Sequence, residues 1–247
     1  IDRKAAPPQP TAPDAAASGI PAGTPAAATA AQALVDSAPP AARQHRGDAR
    51  IDKRAPARTA HERADGEYQR GVAAHQQGQW TEAQAAYAAA LREDASFAPA
   101  RQALAGVLIG QGRGDDAKTL LTEGLADSPQ HAGMALMLAR LHAERGELQR
   151  AAEVLQSARL SSVSADGRAF HAAILQRLNR HAEAADLFAS ALQSAPGNGV
   201  WWMGLGISLA AEGRSDTARD AFSRARASGS LSPELAQYVE QRLRQLL

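Results

Sequence analysis

An all-α fold, a right-handed superhelical α-solenoid of about five helical hairpins closed by a C-terminal capping helix, is what the sequence predicts on three observations. A residue suited to tight turns recurs at Gly78, Gly112, Gly146, Asn179 and Gly213, at intervals of 34, 34, 33 and 34 residues. Five residues after each stands an alanine (Ala83, Ala117, Ala151, Ala184, Ala218), and four later a large apolar residue (Tyr87, Leu121, Leu155, Phe188, Phe222). Between these marks, apolar residues such as Leu104, Val107 and Leu108, or Leu138 and Leu141, follow spacings of three and four, the period of a helix. Strand-like alternation is absent.

Each position has a physical reason. Gly78, Gly112, Gly146 and Gly213 fall where a first helix ends and the chain needs a left-handed residue, and asparagine at Asn179 is the usual substitute. The alanines let the two helices of a hairpin approach, and the large apolar residues fill the space beside them. Pro129 and Pro196 lack a backbone donor and restrict the residue before them, so they end the second helix of their hairpins. These signals place paired helices at roughly 62–77 and 81–93, 98–111 and 115–126, 132–145 and 148–160, 165–178 and 181–194, and 199–212 and 216–228. An eleventh helix follows, with Ser232 as its cap, Pro233 at its first position, and Leu235, Tyr238, Val239, Leu243 and Leu246 on one face. With Glu240, Arg242 and Arg244 opposite, it suits the end of a stacked array, which must show water a polar face.

Residues 1–60 differ in kind. Alanine and proline dominate and large apolar side chains are almost missing, so this stretch is expected to be a disordered, semi-extended linker, with a weak helix conceivable at 26–35. The repeat domain occupies 61–247, with repeats at about 64–97, 98–131, 132–164, 165–198 and 199–232 and the capping helix at 233–247. Up to Arg63 there are nine Lys and Arg against six Asp and Glu, leaving eighteen against twenty beyond. The basic cluster Arg43, Arg46, Arg50, Lys53, Arg54 and Arg58 is diluted by Asp48 and Asp52 and has no interleaved aromatics, so it reads as a solvated linker and not as a nucleic-acid site. Arg46-Gly47-Asp48 matches an integrin-binding tripeptide, which three residues of low-complexity sequence produce by coincidence.

The repeat resembles the tetratricopeptide family, whose consensus is W-x2-L-G-x2-Y, then A-x3-F, then P. The last repeat matches best, with Trp202, Leu205, Gly206, Leu209, Ala218 and Phe222, and Ser230 stands where the proline would be. The first keeps Gly71, Gly78, Trp80, Ala83, Tyr87 and Ala90. The resemblance implies a concave groove lined by first helices that binds a protein or peptide. Aligned to it, the groove residues are Tyr68, Val72, His75, Gln102, Ile109, Leu136, Arg140, Ala169, Gln176, Met203 and Ile207. Family members that clamp a C-terminal carboxylate carry lysine and asparagine where this first repeat has Tyr68 and Val72, which argues against a co-chaperone adaptor of that type. Trp202 takes the consensus core position, and Trp201, about 100° away around the helix, is either a possible exposed anchor or packed against Pro196 or the fourth repeat.

Catalytic signals are missing. Seven histidines are present, none in an H-E-x-x-H pair or three or four residues from another on one helix, and no phosphate-binding loop or nucleophile elbow occurs. Gly204-Leu205-Gly206 begins like a dinucleotide fingerprint but lies inside a repeat helix. Asp115 and Asp116, like Glu62, Asp65 and Glu67, stand in first turns, where the helix dipole favours them. The chain has no cysteine, so thiolate metal sites and disulfides are excluded. The reading is of a non-enzyme with no catalytic residue, cofactor, metal, nucleic acid or small-molecule substrate.

In its last third the chain is similar to the MshN type of pilus-biogenesis proteins. The stretches concerned are Trp201-Trp202-Met203-Gly204-Leu205-Gly206-Ile207-Ser208-Leu209, Ala221-Phe222, Leu231, Leu235, and Tyr238-Val239-Glu240-Gln241-Arg242-Leu243, with Leu104-Ala105 through Gly112-Arg113, Leu120-Leu121-Thr122-Glu123-Gly124-Leu125 and Asn179-Arg180-His181-Ala182-Glu183-Ala184 upstream. This resemblance implies a periplasmic scaffold in assembly of a mannose-sensitive haemagglutinin (MSHA) type IV pilus. Its partners would be pilus-assembly proteins, and its only tie to the membrane an inner-membrane anchor upstream of Ile1. Two other readings stay open: a cell-envelope or cytosolic adaptor, and the recruitment arm of an enzyme whose catalytic domain lies upstream.

Overall fold

A computed structural model divides the chain into two units, Ile1–Lys53 and Arg54–Leu247. The structure describes residues 58–158 and 163–246, all within the second unit. The expected linker up to residue 57, its weak helix at 26–35, and the basic cluster through Arg54 lie outside the described residues.

The described residues form eleven helices and no strand. They pair as α1 (Ala60–Gln76) with α2 (Trp80–Glu93), α3 (Ala98–Gly110) with α4 (Gly114–Asp127), and α5 (Ala132–Glu144) with α6 (Leu148–Ser157). The fourth and fifth hairpins are α7 (Ala165–Arg177) with α8 (His181–Ser194) and α9 (Gly199–Ala211) with α10 (Ser215–Ala227), and α11 (Pro233–Gln245) follows. Each helix packs chiefly on the next in the chain, and α7 also touches α9, the arrangement of an α-solenoid.

Turn chemistry sets the hairpins. Gly78, Gly112, Gly146 and Gly213 have φ of 73–76° and Asn179 has φ of 59°. The left-handed residue swings the next amide back onto the helix just ended. Gln79, Arg113, Glu147, Arg180 and Arg214 each donate to the carbonyl five residues earlier at 2.8–2.9 Å, which satisfies a carbonyl that the helix end would otherwise leave free. The start of α1 precedes the expected 62, because Thr59 Oγ1 accepts from the Glu62 amide while the Glu62 carboxylate accepts from the Thr59 amide, a full capping box. Helix α6 stops at Ser157, short of the expected 160, where Ala158 turns extended. Of the loop that carries the 33-residue interval, residues 159–162 lie outside the described residues.

Close approach explains the small residues. A Cβ on Gly71 would lie 2.5 Å from the Tyr87 ring, and one on Gly206 2.9 Å from Phe222, so each aromatic of a second helix lies over the glycine of its own first helix. Phe188 reaches the following hairpin, where a Cβ on Gly204 would meet its ring at 2.5 Å. Tyr87, Leu121, Leu155, Phe188 and Phe222, the large residues read from the sequence, are all buried. Each such side chain contributes about 1.5–3 kcal/mol by leaving water. The missing proline at Ser230 has a substitute: Ser230 Oγ accepts from the Gly199 amide at 2.9 Å, fixing the base of the last hairpin by a side chain. The two largest clusters of buried side chains run from Ala74 to Leu141 and from Ala139 to Leu243, with smaller ones at Ala64, Ala90, Phe97 and Ala100 and at Ala135, Ala158 and Val163.

Candidate functional site

The first helices α1, α3, α5, α7 and α9 hold the residues expected to line a groove. His75 and Arg140 are exposed, and Tyr68, Val72, Gln102, Ile109, Leu136, Gln176 and Ile207 are half-buried. Ala169 and Met203 are buried in the core, which corrects their placement on an open face.

Several half-buried members are held by the fold itself. The Tyr68 ring lies 5.8 Å from Tyr87 and 5.7 Å from Phe97, tying α1 to α2 and to the start of α3. Gln102 occupies the space that a Cβ on Gly133 would need. Gln176 Nε2 donates to the Gly204 carbonyl and to Ser208 Oγ, both at 3.0 Å, so it joins α7 to α9. His75 packs edge-on to Trp80 with centroids 4.8 Å apart, and Trp80 is half exposed at 52 %.

In the tryptophan doublet the packed alternative holds for Trp201, and Trp202 at the consensus position is less buried than expected. Trp201 is buried at 9 % exposure, whereas Trp202 is half-buried, donates Nε1–H to the Pro196 carbonyl at 2.7 Å and carries the Arg224 guanidinium 5.0 Å from its ring. Trp201 is therefore not an exposed anchor. The consensus tryptophan position packs on the flank of the hairpin, and the residue before it turns into the core.

Sequence reading missed Phe170, Ala173 and Arg177. They stand at i, i+3 and i+7 of α7 and so share one face of it. Arg140 of α5 lies over that face, with its Cζ 5.8 Å from the Phe170 centroid. Phe170 follows an aligned groove position by one residue, and its i+7 relation to Arg177 was the signal available. Further along the first helices, Gly106 has open space where a Cβ would stand, and Val200 is 44 % exposed.

Charge is distributed unevenly over these helices. Arg63 and Arg70 pair with Glu93 and Glu67, buried Arg101 donates to the Leu120 and Ala95 carbonyls, and Arg168 donates to the Val163 carbonyl. Arg140 and Arg177 alone among the first-helix arginines bond no oxygen among the described residues. Elsewhere the third hairpin holds buried His142 2.6 Å from the Glu147 carboxylate, a bond that keeps the Glu147 carboxyl below its ordinary range, with Arg150 adding to the effect. His171 is buried at 6 % exposure with no hydrogen-bond partner on Nδ1, and desolvation holds its imidazole below its ordinary value. Among the described residues no three His, Cys, Asp or Glu side chains gather as a metal site would need, and no helix is long and apolar enough to cross a membrane.

This geometry is that of a protein built to present a row of first-helix faces. Tetratricopeptide-repeat family models match residues 74–127 and 108–174, and a further one matches 171–233. The chain belongs to the tetratricopeptide-repeat family, whose domains bind protein or peptide partners. Its fold is similar to that of MamA, at 21 % identity over 68 % of this chain and 92 % of that one, with a TM-score of 0.57. It is also similar to YrrB, described as a TPR protein with an unusual peptide-binding site, at 19 % identity over 72 % and 92 %, with a TM-score of 0.60. A third likeness is to pilF of Pseudomonas aeruginosa, at 18 % identity over 76 % and 90 %, with a TM-score of 0.57. No curated protein matches the sequence.

Proposed function

We propose that the chain is a non-enzymatic interaction scaffold that takes part in assembling an MSHA-type type IV pilus from the periplasmic side, tethered to the inner membrane by a segment upstream of Ile1. The observation that carries the scaffold reading is the row of first helices whose outer faces, with Val72, Ile109, Arg140, Phe170 and Ile207, are left partly or wholly uncovered by the array. Such a face is extended and apolar with few charges, which suits a peptide or helix laid along it. The pilus reading draws its support from the stretches at 201–209, 221–222 and 238–243 that resemble pilus-biogenesis proteins. In the fold these stretches form the last hairpin and the cap, where Gly204 and Gly206 accommodate Phe188 and Phe222 and Val239 is buried.

The test is photo-cross-linking in cells that make pili, with a photoreactive residue at Arg140 or Gly106. Capture of a pilus-assembly protein, together with loss of piliation on deletion, is the expected result. Capture of an unrelated envelope protein with piliation intact would remove the pilus assignment and leave the adaptor reading.

A further inference from the structure

We infer that the face shared by α5 and α7 takes an apolar segment carrying acidic side chains, read by Arg140 over Phe170 and by Arg177 two turns further along α7. The inference rests on the scaffold reading and names the chemistry of its partner. Arg140 lies 5.8 Å over the Phe170 ring, and Ala173 and Arg177 continue the same face of α7, so the four residues make one patch. Ala173 and Arg177 are exposed and Phe170 is half-buried, so a ligand meets an aromatic floor, a small residue and two guanidinium groups.

Charge complementarity selects the occupant. The other first-helix arginines are already bonded to carboxylate or carbonyl oxygens, whereas Arg140 and Arg177 are not. Glu144 stands one turn beyond Arg140 on α5 and Asp166 at the far end of α7 from Arg177; both are exposed, and neither forms an ion pair among the described residues. An apolar segment laid over Phe170 removes water from both guanidinium groups. A segment without carboxylates would leave two charges stranded beneath it, and one bearing lysines would be repelled. Acidic residues flanking an apolar contact satisfy both arginines, with bidentate geometry open to each.

Three fluorescein-labelled amphipathic helical peptides of about eighteen residues test this, identical in their Leu and Ala face and carrying Glu, Gln or Lys on the other. Fluorescence anisotropy with the full chain should rank Glu above Gln above Lys, and the preference should shrink as salt rises to 0.5 M. The double variant R140Q/R177Q should bind the Glu peptide about five- to tenfold more weakly and the Gln peptide no more weakly than the wild type does, while R140K/R177K should restore much of the preference. R140E/R177E should invert it toward the Lys peptide. Both side chains are exposed, so these variants are expected to keep the wild-type urea midpoint, which is measured alongside. Equal binding of the three peptides, no binding of any, or a Glu preference that survives R140E/R177E would each overturn the inference. None of these results touches the scaffold reading, which fails only if cross-linking in cells captures no partner.

Discussion

Gln176 on α7 donates one amide group to both Ser208 Oγ and the Gly204 carbonyl on α9, and Ser208 is fully buried. A polar strut thus crosses from the fourth hairpin to the fifth inside an otherwise apolar seam. Removing one end should be worse than removing both. Gln176→Ala should lose about 1–2 kcal/mol in urea denaturation because it strands a buried hydroxyl, and adding Ser208→Ala should recover part of that loss. Strictly additive effects in the double variant would show that the two groups do not interact.

His171 occupies the place in its repeat that Leu104, Leu138 and Leu205 hold in theirs, and its Nδ1 has no partner. Replacement by leucine removes an unsatisfied buried polar atom. His171→Leu should stabilise the array by about 1 kcal/mol, or roughly 2–4 °C in Tm.

The same histidine gives a pH dependence of definite sign. Burial lowers its folded pKa below the ordinary 6.5, so between those two values the unfolded chain binds more protons. Its contribution is fully present above pH 6.5 and is lost as pH falls through the lowered value. Thermal melts of the wild type from pH 7.5 to 5.5 should show a fall in Tm that His171→Leu reduces.

Glu147 acts on the acid side as well. The bond from His142 holds its carboxyl below the ordinary 4.5, so its contribution is complete at neutral pH and lost as pH falls through the lowered value. Glu147→Gln should lower the urea midpoint at pH 7, and the gap to wild type should narrow below pH 4.5. A gap independent of pH would mean that the carboxylate charge plays no part.

Helical glycines should divide by the space above them. Gly204→Ala drives a methyl group into Phe188 and should cost about 1–3 kcal/mol, whereas Gly106, with open space, should accept alanine and gain about 0.5–1 kcal/mol from helix propensity. Chemical denaturation of the two single variants decides this directly.

The hairpins were legible in the sequence because their determinants are local. A left-handed residue, an alanine and an apolar residue in fixed phase state where each helix ends and which face turns inward, and the Ser232-Pro233 start of α11 is equally local. The start of α1 was legible too, in the spacing of Thr59 and Glu62, but the expected boundary ignored that pair. The tryptophan doublet was not legible. Both members are large and apolar, and what separates them is the Pro196 carbonyl and Arg224, contacts that come from a preceding turn and a second helix. The face of α7 was half legible: the helix was placed correctly, but Gln176 is spent on α9, and which turn of α7 remains free depends on how the hairpins stack.

The two largest blocks of the buried core meet at α5, where Leu138 and Leu141 belong to the first and Ala139 to the second, and Val154 of α6 packs against both. Phe170 packs against the second block, and Arg140, on α5 itself, reaches it across the junction. A segment lying along both would bridge the two blocks from outside, beside the seam that Val154 already closes from within.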